Sequence, residues 1–189
     1  MHRWVPVMIL IALLAIFRVI GSSLPTTLPN FQPLLALFLC SFVFLQGKQR
    51  WLIPGLVWLL TDPVTSLLQG YSVIGWHHLA VVTGIAATLA ISVLVRRRPS
   101  AGSALVGAAT SAIIFYFLTN LIAFATDPLY PKSFLGFVQA QWSGPVGLGP
   151  TWIFLRNLLA ANVLFTALFL VARSSAPASA ITPTHIPAR

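Results

Sequence analysis

Asp62 and Asp127 are the only acidic side chains in a chain that carries 11 lysines and arginines. Chemistry that needs paired carboxylates therefore has almost nothing to draw on. General acid–base pairs, carboxylate metal cages and magnesium-dependent ATP hydrolysis all require more. The sequence also lacks a Gly-x-Ser-x-Gly elbow, a His-Glu-x-x-His helix and a phosphate-binding glycine loop. Cys40 lies in an apolar run, the ordinary place for a small buried thiol, and has no second cysteine to pair with. His77 and His78 are adjacent, which on a helix sets them about 100° apart on different faces. With no third ligand at useful spacing they do not make a metal site. Neither catalysis nor a cofactor is expected.

What remains is binding chemistry by polar groups placed inside apolar stretches. An ionisable group in hydrocarbon costs from about 3 to more than 10 kcal/mol, so each one calls for a partner or a role. Asp62 follows Arg50 by twelve positions, on the order of 18 Å along a helix. It precedes Pro63, and Asp-Pro reads as an N-cap with proline at the first helical position, which predicts a break in the third apolar segment. Half-helix ends at mid-membrane build ligand sites in transporters. Arg18 stands about 22 Å beyond Arg3 on the same reasoning, and Arg156 enters its segment at a similar height. Either arginine can snorkel to the outer headgroups instead. Asn120 and Asn162 carry amides that need partners, which neighbouring helices can supply. These groups, with His77 and His78, fall in one half of the thickness.

Those depths presuppose membrane spans, and the composition demands them. Of 189 residues, 58% are hydrophobic and 7% charged, with mean hydropathy +0.91, whereas soluble domains carry roughly a quarter charged residues. Apolar segments at 4–20, 31–45, 51–68, 73–95, 101–125 and 151–172 predict an all-α bundle of six transmembrane helices, the second of them short. A loop at 126–150 is expected before the last span. His2 and Arg3, Lys48 and Arg50, Arg96 to Arg98, and Arg173 fall at alternate connections, against Lys132 alone on the opposite ones. The positive-inside rule then places both termini in the cytoplasm. Trp51, Trp76, Trp142 and Trp152 stand near span ends, as interfacial tryptophans do. The net charge of +9 is dispersed between spans, so it reads as topology and not as a nucleic-acid surface. The start resembles a signal peptide, but Arg18 and the lack of a small-x-small site favour an uncleaved span. One membrane domain, 1–173, and a disordered cytoplasmic tail, 174–189, complete the expected layout.

Arg18, then Pro29-Asn30-Phe31-Gln32-Pro33 with Ala36 and Phe38, then Asp62, Thr119-Asn120 with Phe124, and Tyr130-Pro131-Lys132 with Gly136 form an ordered series. It resembles the bacterial domain-of-unknown-function 6580 family, over nearly the whole chain up to about Leu170. Each motif is short, and the order carries the resemblance. Where the family has Gly-Asp, this chain has Ala161-Asn162, so a role requiring charge there is not carried over. The resemblance implies a transport function. In size and topology the family is similar to the substrate-binding S components of energy-coupling-factor transporters. That implies six helices, an outward pocket, and docking to a transmembrane coupling subunit that works with ATPases. Ala86-x-x-x-Ala90 and Ala108-x-x-x-Ala112 permit close helix approach of the kind such docking uses.

The expectation is a multi-pass protein of the bacterial inner membrane, acting as the substrate-binding subunit for a small polar or partly anionic solute. Its site would draw on Arg18, Asn30, Asp62, Asn120, Arg156 and Asn162. The lipid bilayer and an energy-coupling partner are its expected associates. A non-transporting membrane scaffold is the alternative, and a small enzyme acting on lipid-linked substrates is a third.

Overall fold

The computed structural model describes residues 5–24, 27–75, 77–147 and 149–174. The expected tail at 174–189 lies outside them apart from Ser174, as do His2, Arg3 and Trp76. Among the described residues seven helices form: α1 (Val5–Ser23), α2 (Leu34–Phe44), α3 (Gln49–Leu68), α4 (His77–Arg97), α5 (Ala101–Thr126), α6 (Phe134–Gln141) and α7 (Trp152–Ser174). Four of these, α3, α4, α5 and α7, are long and apolar enough to cross a membrane. At 20 to 26 residues each measures roughly 30–39 Å, matching a hydrocarbon core of about 30 Å. Many large apolar side chains point outward, among them Leu59, Leu60, Leu67, Leu94 and Val106. Such a surface suits lipid and not water. The chain is an all-α, multi-pass membrane bundle.

The second apolar segment behaves differently from the four long ones. Its helix, α2, has 11 residues, about 16 Å, or half a membrane. Every side chain from Leu34 to Val43 is buried, and α2 packs against α1, α3, α4, α5 and α7. It is the core of the bundle. Its N-terminus starts beside Asn162, near the middle of α7, and its far end meets Phe169 and Arg173 at the close of α7. The chain just before it, 29–33, is non-helical and lodged between α1 and α7. Pro29 and Pro33 explain why: proline supplies no N–H, and the residue before it is pushed away from helical geometry. Gly21 admits this strand of chain, since a Cβ there would lie 2.0 Å from the Phe31 carbonyl oxygen.

The break expected in the third segment is absent. α3 runs on through Pro54 and Pro63, and Asp62 caps nothing because its carboxylate is engaged by side chains from three helices. Thr61 and Thr65 hydroxyls bond to the Val57 and Asp62 carbonyls in this stretch, as Ser and Thr do where proline thins the ladder. The helical interruption thus falls in the second apolar segment, before α2, and not in the third.

The expected loop at 126–150 contains α6, opened by Ser133, whose hydroxyl accepts the Gly136 N–H at 3.1 Å. α5 starts after Pro99 with a capping box between Ser100 and Ser103. Its small face of Ala104, Ala108 and Ala112 is fully buried, so Ala108-x-x-x-Ala112 is consumed inside the bundle. Ala86 and Ala90 lie on an exposed face of α4. Gly84 on α4 meets α5 so closely that a Cβ would fall 2.1 Å from the Phe115 ring.

Candidate functional site

Burying an acid in this bundle requires compensation, and Asp62 receives it from three elements. Arg18 Nη2 on α1 donates to its Oδ1 at 2.7 Å. Trp58 Nε1, one turn earlier on α3, donates to the same oxygen at 2.9 Å. His78 Nε2 at the start of α4 lies 2.7 Å from Oδ2. A carboxylate only accepts, so the hydrogen of that bond sits on His78 Nε2. His78 Nδ1 is then 3.2 Å from both the N–H and the carbonyl of Gly75, accepting from the first when neutral and donating to the second when charged.

Arg18 is 3% exposed. Its Nη2 also reaches Thr65 Oγ1 at 3.3 Å. Among the described residues its Nε and Nη1 have no hydrogen-bond partner. A buried donor left unpaired costs about 1–3 kcal/mol, more on a charged group, so these two nitrogens are available to an additional acceptor.

A polar route leads from this cluster toward the end of the bundle opposite Arg50 and Arg96. Ser22 donates to the Arg18 carbonyl at 3.0 Å and accepts from Gln69 Nε2 at 3.2 Å. The Tyr71 ring stacks on His77 at 4.8 Å, and the His77 and His78 rings are 4.1 Å apart. Gln69 and Tyr71 line a cavity of about 340 Å³ together with Gly21, Pro29, Asn30, Leu68 and Phe154. That volume falls at the lower end of small-molecule sites. Asn30 adopts φ 60°, a left-handed conformation that asparagine tolerates, and its Oδ1 accepts from Gln32 Nε2 at 2.7 Å.

The six residues expected to share a site thus divide. Arg18 and Asp62 pair in the bundle interior without lining the cavity, whereas Asn30 lines its wall. Asn162 is wholly buried and occupied, its Oδ1 accepting the Ala36 N–H at 2.7 Å and its Nδ2 donating to the Leu158 carbonyl at 2.8 Å. It caps α2 and holds the non-helical segment before it, with a further contact to the Gln32 carbonyl at 3.4 Å. Arg156 faces outward over the Trp152 ring and donates through Nε to Asn157 Oδ1 at 3.1 Å. Asn120 lies one turn along α5 from Tyr116, whose hydroxyl bonds to the Gln141 carbonyl of α6, so it faces α6 and not Arg18. Outside the spans, burial and the nearby Asp127 push the Tyr130 phenol above its ordinary range.

Sequence reasoning missed Trp58, Gln69 and Tyr71. It set His77 and His78 in the same half of the thickness as Asp62, but nothing in the spacing joins His78 to that acid. Among the described residues no three His, Cys, Asp or Glu side chains gather as a metal cluster would require. No curated protein matches the chain, and no solved structure does. A family of unknown function, DUF6580, matches residues 1–182. The chain therefore belongs to the DUF6580 family.

Proposed function

We propose that this protein is the solute-binding subunit of a transport system in the bacterial inner membrane, taking a small polar or partly anionic solute from the outer side. The observation that carries the reading is the buried Arg18 guanidinium, paired on one nitrogen and unpaired on two, with a cavity of about 340 Å³ one turn further along α1 that Gly21, Asn30, Gln69 and Tyr71 help to line. Two donors of fixed charge suit a carboxylate or a similar acceptor. Gln69, Tyr71 and Asn30 orient the solute at the rim. α1 and the interrupted second segment complete six crossings, with both termini in the cytoplasm. Arg50, Arg96 and Arg173 support that orientation, since all three lie against Phe42 or Phe44 at one end. The exposed Ala86 and Ala90 face gives an energy-coupling partner a surface for close approach.

Thermal unfolding of the purified chain in detergent, against a panel of small carboxylates, sugars and vitamins, tests this reading. One solute class should raise the unfolding temperature, and Gln69→Ala with Tyr71→Phe should weaken its binding by up to about tenfold for each hydrogen bond removed. Stabilisation by none of them, with stable protein partners recovered from membranes, would establish the scaffold reading instead.

A further inference from the structure

The opposite end of the bundle holds a second constellation of charge. Phe42, near the end of α2, has the Arg50 guanidinium 5.3 Å from its ring centroid and that of Arg96 at 5.8 Å. Trp51 meets the same ring edge-on at 4.9 Å. Arg50, Arg96 and Arg97, with Phe42 and Val93, line a groove of about 250 Å³ between α3 and α4. Three cations converge here, and neither acidic side chain of the chain is near. Asp62 is bonded to Arg18 and His78, and Asp127 closes the far end of α5.

The groove also has donors to spare. Arg50 Nε is buried with no hydrogen-bond partner among the described residues. Arg96 uses Nη1 on the Phe42 carbonyl at 3.3 Å, which leaves most of its fork open. α3 begins at Lys48 with no side-chain cap, so its positive end opens beside Arg50. Like charges held around one ring without a counterion repel, and a bound anion removes that penalty. The flanking surface is apolar, with Val93, Leu94 and Trp51 46%, 61% and 48% exposed.

We propose that this groove binds the phosphate of an anionic phospholipid, with the arginines on the headgroup and the acyl chains along Val93 and Leu94. A free phosphate shares the charge chemistry but not the apolar wall. Basic pockets between helices on the cytoplasmic side recognise headgroups in this way. The site stands independently of whatever solute the opposite end takes.

Native mass spectrometry of the full chain in mild detergent tests it, titrating phosphatidylglycerol against phosphatidylcholine of the same chain length. Phosphatidylglycerol should be retained preferentially, and Arg50→Gln, Arg96→Gln and Arg97→Gln should each lower its occupancy about fivefold. Arg98→Gln, outside the groove, should leave occupancy within twofold. If Arg50→Gln fails to fold, the exposed Arg97→Gln supplies the same readout. Equal retention of phosphatidylcholine overturns the proposal. So does an Arg98→Gln loss matching that of Arg97→Gln, because the effect is then diffuse charge. Displacement of the lipid by an equal concentration of inorganic phosphate overturns it too, assigning the groove to the free ion.

Discussion

Asn162 caps a helix to which it does not belong. Its Oδ1 accepts the Ala36 N–H at 2.7 Å, satisfying a first-turn donor of α2 at mid-bundle, where Pro33 supplies no side-chain cap of its own. In water that donor would be solvated. Here the alternative is an unpaired N–H in an apolar interior. Asn162→Leu should therefore destabilise the chain by about 1–3 kcal/mol through the lost cap alone. It also removes the bonds to the Leu158 and Gln32 carbonyls. Thermal unfolding in detergent reads the loss. An unchanged unfolding temperature would show that α2 does not depend on α7 for its start.

Gly84 and Phe115 bring α4 and α5 into close contact. Phe115 is 5% exposed, so its ring is enclosed by neighbouring side chains. Gly84→Ala should cost about 1–3 kcal/mol by overpacking, offset in part by a gain in helix propensity of up to about 1 kcal/mol. Adding Phe115→Leu should recover stability relative to Gly84→Ala. Additive losses in the double variant would rule out this contact as the source.

The depth of each polar group was legible in the sequence, while its rotation about the helix was not. A rise of about 1.5 Å per residue sets height from the flanking charges. That suffices to place Arg18, Asp62 and His78 in one layer, and they do meet. Arg156 and Asn120 share the half of the bundle away from Arg50 and Arg96 but face Trp152 and α6, because azimuth depends on packing that uniformly apolar spans do not encode. The same uniformity hides the burial of α2, since a segment facing lipid and one at the core of the bundle read alike. The four long spans and the basic end were legible because length and charge placement suffice for them. α6 escaped notice because its eight residues follow a Pro-Lys-Ser turn and make too short a pattern.

Arg18 and Asp62 form an ion pair 44 positions apart in sequence, and the two partners should not be equally expendable. Arginine does not lose its proton in proteins. Asp62→Leu therefore strands a full positive charge beside Thr65, at 4% side-chain exposure, and should cost about 3–5 kcal/mol. Arg18→Met leaves Asp62 with two remaining donors, Trp58 and His78, and a carboxyl can take up a proton. The milder loss belongs to Arg18→Met. The double variant, with two apolar side chains facing each other, should be more stable than Asp62→Leu alone and close to the parent. Unfolding temperatures of the three variants at fixed pH and lipid content decide this. Equal damage from both single variants would mean that Trp58 and His78 do not sustain Asp62 once Arg18 is gone.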